Sequence, residues 1–153
     1  MAKEFDIRDR LAYRIQNLAN KMGMWGSRIY SENFEVGVQE WRILAVLAGN
    51  GEGTAREICE TTLMDKGNVS RAIKKLVRTG RVREITDKKD KRSTVLVMTD
   101  KGYEIYGKIK ELSDAREQKI LASLTASERR SLPIILTKLN GVIEELLQET
   151  ERS

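Results

Sequence analysis

The stretch from Lys66 to Arg92 holds eleven of the chain's 28 lysines and arginines and only three carboxylates, Glu84, Asp87 and Asp90. Its net charge of +8 leaves −3 for the rest of a chain whose total is +5. Cations at this density make a local field suited to a polyanion, and nucleic acid is the first partner it implies. Other chemistry is scarce. The chain has no histidine and one cysteine, Cys59. Acid–base catalysis near neutrality mostly uses histidine, and a thiol without an imidazole lacks its usual activator, so the composition weighs against an enzyme. The usual nitrogen and sulfur ligands of zinc are missing too, an internal disulfide is excluded, and no metal or cofactor is expected. No Gly-x-Ser-x-Gly elbow or phosphate-binding loop occurs. Gly49-Asn50-Gly51-Glu52-Gly53 lacks the following lysine and reads as a flexible turn between helices.

The cations need elements to aim them. Asp65 is placed to cap a helix whose inner face, by 100° steps, is Val69, Ala72, Ile73, Leu76 and Val77. Gly67, Asn68, Arg71, Lys74, Lys75 and Arg78 then point outward, with Ser70 at the margin. After Gly80, residues 81–85 and 94–98 are rich in β-branched side chains and flank Asp87-Lys88-Lys89-Asp90-Lys91-Arg92, which has nothing apolar to bury; this predicts a hairpin with a protruding basic loop. Upstream, Val38 to Ala48 carries Trp41, Leu44, Ala45, Leu47 and Ala48 at helical spacing. Thr54-Ala55-Arg56-Glu57 is a capping box for a short helix ending near Thr61.

Longer helices flank this module. Ile7, Leu11, Ile15, Leu18, Met22, Trp25 and Ile29 form a heptad seam that Asp6 can cap. Thr99 and Asp100 open a helix with Ile105, Ile109 and Leu112 at seam spacing. A second capping box, Thr125 to Glu128, begins a last helix with a wide apolar stripe from Leu132 to Leu147, where Pro133 predicts a kink or break near 129–132. Seam-bearing helices at both ends imply pairing with a second copy, a symmetric homodimer; an intramolecular three-helix bundle is the alternative. Met1 to Asp6 lacks the apolar run of a signal peptide, and no stretch approaches the roughly 20 apolar residues of a membrane span, which points to the cytoplasm and to no membrane partner.

Two short helices joined by a tight turn, the second basic outside and followed by a two-stranded wing, describe a winged helix-turn-helix. Order and register resemble the MarR (multiple antibiotic resistance regulator) family of transcriptional regulators over nearly the whole chain. The signposts are Gln39-Glu40-Trp41-Arg42-Ile43-Leu44, Ala55-Arg56-Glu57-Ile58-Cys59, Met64-Asp65-Lys66-Gly67-Asn68-Val69-Ser70-Arg71 and Thr99-Asp100-Lys101-Gly102. The wing is the most specific, because family members commonly show Asp-x-Arg-Asp-x-Arg there; this chain has Lys89 in place of the middle arginine.

The resemblance implies a mainly α fold with a small β-wing: one MarR-like domain over 1–153, with a winged-helix module at 38–98 and dimerisation helices at 5–31 and 99–150. It further implies a ligand-responsive repressor that binds a pseudo-palindromic operator in double-stranded DNA as a homodimer. On matching positions the fourth helix enters the major groove, where Asn68, Ser70 and Arg71 are candidates for base edges. Lys74, Lys75 and Lys88 are candidates for phosphates, and Arg92, oriented by Asp90, for the neighbouring minor groove. The resemblance also implies an effector, since MarR-like dimers often bind small aromatic or phenolic acids in a cleft between the dimerisation helices and the DNA-binding module. Trp25 and Trp41 could supply an apolar wall for one and Arg14 or Arg28 its carboxylate partner, with core packing the other reading of both tryptophans. Cys59 reads as a small core residue rather than a sensing thiol. The rival function is a winged-helix module for protein or RNA contacts.

Overall fold

The computed structural model describes residues 6–86 and 94–151, which fall into two compact units, one up to Glu111 and one from Leu112. In the first unit a single 3-10 turn, Ile7–Asp9, precedes α1 (Leu11–Phe34). Asp6 caps this turn, accepting the Arg8 N–H at 2.9 Å, and not the long helix. Arg10, in extended conformation, separates the two, so the seam starts one turn later than its spacing suggests.

Then follow α2 (Val38–Asn50), β1 (Glu52–Gly53), α3 (Ala55–Thr62), α4 (Lys66–Arg78), β2 (Val82–Thr86), β3 (Thr94–Met98) and α5 (Asp100–Ala122), which continues into the second unit. The three strands form one antiparallel sheet in the order β1-β3-β2. In its register Val82 lies opposite Met98, Glu84 opposite Leu96 and Thr86 opposite Thr94. The glycine loop is therefore more than a flexible turn. Gly51 takes a φ of +81° to close α2, and Glu52 and Gly53 pair with Val97 and Leu96.

Ile43, Leu44 and Leu47 of α2, Ile58 of α3, and Val69, Ala72, Ile73 and Leu76 of α4 close over Val82, Leu96 and Met98 at the base of the hairpin. Each fully buried aliphatic side chain here contributes about 1.5–3 kcal/mol. The outward residues of α4 are held in place by this inner stripe, in which Val77 alone is only half-buried. A second cluster joins Tyr30, Val36 and Ile109, so the C-terminal half of α1 is packed while Ile7, Leu11, Ile15 and Leu18 remain exposed.

In the second unit α6 (Ala126–Glu151) follows α5. The Thr125 N–H donates to Glu128 at 2.8 Å, and the Glu128 N–H donates back to the Thr125 hydroxyl at 3.3 Å. The break expected near 129–132 is absent: the helix continues through Pro133, which removes one backbone donor from a run of 26 residues. No residue of α6 is buried, and Ile134, Ile135, Val142, Ile143, Leu146 and Leu147 are all more than half exposed. No helix among the described residues is long and apolar enough to cross a membrane.

Candidate nucleic-acid interface

The helix-turn-helix is fixed by its caps. Thr54 and Glu57 satisfy each other's backbone donors at the start of α3, at 3.2 and 2.7 Å. Asp65 accepts the Asn68 N–H at 2.8 Å at the start of α4. That backbone hydrogen bond is the main reason the Asp65 carboxyl is held below its ordinary value, with its side-chain bond to Asn68 and the nearby Arg71 charge adding to it against a desolvation cost.

Asp65, Asn68 and Arg71 form a chain along the first two turns. The Asn68 amide donates to Asp65, and its carbonyl oxygen accepts from Arg71 Nη2 at 2.6 Å. An amide has two donors and two lone pairs, so Asn68 keeps one of each for another partner while it orients the guanidinium. Gly67 makes room for this chain: a Cβ there would sit 3.2 Å from Asp65 Oδ1 and 3.3 Å from Arg71 Nη1. The tight neighbours of Gly67 are thus the protein's own side chains.

Arg71, Lys74, Lys75 and Arg78 line one shallow depression on the outer face of α4, and Ser70 is exposed beside it. Lys75 differs from the others. Its ammonium bonds Glu40 of α2 at 3.1 Å, and the Glu40 side chain, only 12% exposed, also accepts the Gly37 N–H. Lys75 therefore ties α4 to α2 as well as adding charge to the face. Arg81, one of the eleven cations of the basic stretch, turns inward and is 5% exposed. Lys88, Asp90 and Arg92 lie outside the described residues; the described ladder ends at the Thr86–Thr94 pair.

Of the effector candidates, the two tryptophans come together around Tyr30. Trp25 meets its ring edge-on at 6.0 Å, Trp41 lies tilted against it at 5.9 Å, and Trp41 stacks on Tyr106 at 5.3 Å. Tyr30 and Tyr106 were not singled out from sequence, where they fall outside the stripes. Among the described residues the buried Tyr30 hydroxyl has no hydrogen-bond partner. Arg14 does not join this group: it pairs with Asp9 and lies about 16 Å along α1 from Trp25. Arg28 is one turn from Trp25, with its exposed guanidinium on Glu32 at 3.2 Å. Cys59 is half-buried against the module core and borders a groove of about 680 Å³ between α3 and α4.

A cationic helix presented by a helix-turn-helix, with a hairpin behind it, defines a winged-helix protein. The family model described as "MarR family" matches residues 35–93. Over 108 residues the chain is 33% identical to the uncharacterized HTH-type transcriptional regulator YkoM of Bacillus subtilis (strain 168), covering 71% of this chain and 70% of that one. It is 32% identical over 89 residues to the HTH-type transcriptional regulator BilQ of Clostridium symbiosum (strain WAL-14163), covering 58% of this chain and 62%, less than two thirds, of that protein. The fold matches a MarR/EmrR family transcriptional regulator from Acinetobacter sp. ADP1 with a TM-score of 0.84 at 29% identity, over 92% of this chain and 99% of the other. It also matches a mutant MarR from E. coli complexed with operator DNA, with a TM-score of 0.78 at 21% identity, over 90% and 99%. The chain belongs to the MarR family and is a winged helix-turn-helix transcriptional regulator.

Proposed function

We propose that this regulator is a cytoplasmic, ligand-responsive repressor that binds a pseudo-palindromic operator as a homodimer. One observation carries the DNA reading: the buried stripe of α4 holds Arg71, Lys74, Lys75 and Arg78 together on its opposite face. Arg71, oriented by Asn68, suits bidentate contact with guanine, and Asn68 and Ser70 flank it. Lys74, Lys75 and Lys88 would meet phosphates, and Arg92 with Asp90 would enter the minor groove. The exposed apolar residues of α1 and α6 supply the faces a second copy would cover. A small aromatic or phenolic acid would bind beside Trp25 and Trp41, where the unpaired Tyr30 hydroxyl offers a polar contact.

A gel-shift titration of genomic fragments over a salt series tests this. The expected result is a selected operator with two half-sites about one helical turn apart, and affinity that falls steeply with salt. Arg71→Ala should cost about 1–3 kcal/mol and relax one base position. Binding without sequence preference at physiological salt would refute the reading.

A further inference from the structure

Arg81 is a buried cation that the DNA reading leaves unused. Among the described residues no carboxylate pairs with it; its guanidinium bonds main-chain oxygens, Nη2 to Phe34 O at 2.8 Å and Nη1 to Glu35 O at 3.4 Å. These are the last carbonyls of α1, where Glu35 turns into the left-handed region at φ 55°. The same residue closes α4: its N–H donates to Leu76 O at 2.9 Å, and Nη1 also reaches the Thr79 hydroxyl at 3.4 Å. Its own carbonyl accepts the Thr99 N–H at 3.1 Å, just before α5.

The C-terminus of α1, the negative end of its macrodipole, thus meets the guanidinium and stands in for a counter-ion, while the Arg81 backbone and the Thr79 hydroxyl tie the same residue to the end of α4. A planar fork is what two successive carbonyls require; a lysine cannot reproduce that geometry. The exposed seam of α1 and the cationic face of α4 belong to helices that this one side chain joins end to end.

We infer that Arg81 is the positioning residue that fixes the recognition helix α4 to α1, and so sets the half-site spacing the homodimer accepts. The inference rests on the reading of α1 as a dimerisation helix and α4 as the DNA reader. Arg81 touches no DNA in this scheme. Its loss should change which spacing is preferred and leave the strength of sequence-independent attraction alone.

The test uses the full chain and the operator selected above, with one or two base pairs inserted or deleted between the half-sites. R81M replaces the guanidinium with an apolar side chain of similar length and leaves the Phe34 and Glu35 carbonyls without their donor. Wild type should prefer one spacing. Folded R81M should lose about tenfold or more of that preference, the scale of one charged hydrogen bond, while its affinity for random duplex stays within about twofold. R81K, which keeps the charge without the fork, should fall between them. A folded R81M with the wild-type spacing preference overturns the inference alone. If R81M does not fold, R81K decides: full wild-type discrimination by R81K overturns it. A wild-type protein indifferent to spacing overturns the underlying reading and this inference with it.

Discussion

Replacing Gly102 with alanine should destabilise the protein, although the same change in an open part of a helix does the reverse. Gly102 lies in the first turn of α5, where its N–H donates to the Thr99 hydroxyl at 3.1 Å. A Cβ there would sit 2.1 Å from the Arg81 carbonyl oxygen and 3.0 Å from Met98 Cγ. Ordinary contact would need a retreat of more than about 1 Å by a backbone carbonyl. That carbonyl accepts from Thr99 at 3.1 Å, and the Arg81 N–H is tied to Leu76 at 2.9 Å, so it has little freedom to move. Overpacking of this kind costs about 1–3 kcal/mol, against a helix-propensity gain of up to about 1 kcal/mol for alanine over glycine. With the clash at 2.1 Å placing the cost at the upper end, a net loss of about 2 kcal/mol should lower Tm by about 4–8 °C in a protein of this size. Gly107, on the same helix, is the control: among the described residues nothing beyond its chain neighbours and its own helix backbone lies within 4 Å of its added Cβ, and Gly107→Ala should gain about 0.5–1 kcal/mol. Urea unfolding followed by circular dichroism reads both. Gly102→Ala as stable as wild type, beside a stabilised Gly107→Ala, would refute the close-approach argument.

Leu63, 91% exposed at φ 53° between α3 and α4, buries nothing to offset its left-handed backbone. Leu63→Gly should therefore raise stability by about 1 kcal/mol in the same urea assay, and a loss would contradict this account. The Asp65 carboxyl, lowered first by the Asn68 N–H, stabilises the folded state above its unfolded pKa, and the contribution is lost as pH falls through the lower folded value. The stability gap between wild type and Asp65→Ala should accordingly be full near neutrality and shrink on acidification below the ordinary carboxylate range; a gap independent of pH would count against the cap. Ile143→Glu with Leu146→Glu, both on exposed positions of α6, should turn a dimer into a monomer by analytical ultracentrifugation. Unchanged sedimentation would show that α6 is not the interface.

The parts of the fold legible in the sequence were those with a strong local signal. The Thr54–Glu57 box and the Asp65 cap are short-range hydrogen bonds with fixed residue spacing. The α4 stripe follows from period alone, and the pairing of Val82–Thr86 with Thr94–Met98 from two runs rich in β-branched residues around a charged loop. What stayed hidden depends on distant partners. Two residues such as Glu52 and Gly53 carry no alternation to read, and only β3 makes them a strand. Glu40 looks like a surface residue until Lys75, far along the chain, meets it. Tyr30, near zero exposure, is a core centre because Val36 and Ile109 fold onto it. Arg81 is the sharpest case: a charge count places it on the surface, whereas the last carbonyls of α1 hold its guanidinium inside.

These long-range contacts suggest how an effector would act. The N-terminal half of α1 is open to a partner, while its C-terminal half is clamped to the module by Tyr30 and the Arg81 fork. The aromatic group of Trp25, Tyr30, Trp41 and Tyr106 spans α1, α2 and α5 at that clamp. A ligand there can shift the protein only by binding one spacing of the recognition helices better than another. Tenfold weaker operator binding needs a differential of about 1.4 kcal/mol, comparable to a single hydrogen bond such as one to the unpaired Tyr30 hydroxyl. Tyr30→Phe should then leave operator affinity unchanged and reduce release by the effector. Equal loss of both would assign Tyr30 to the core alone.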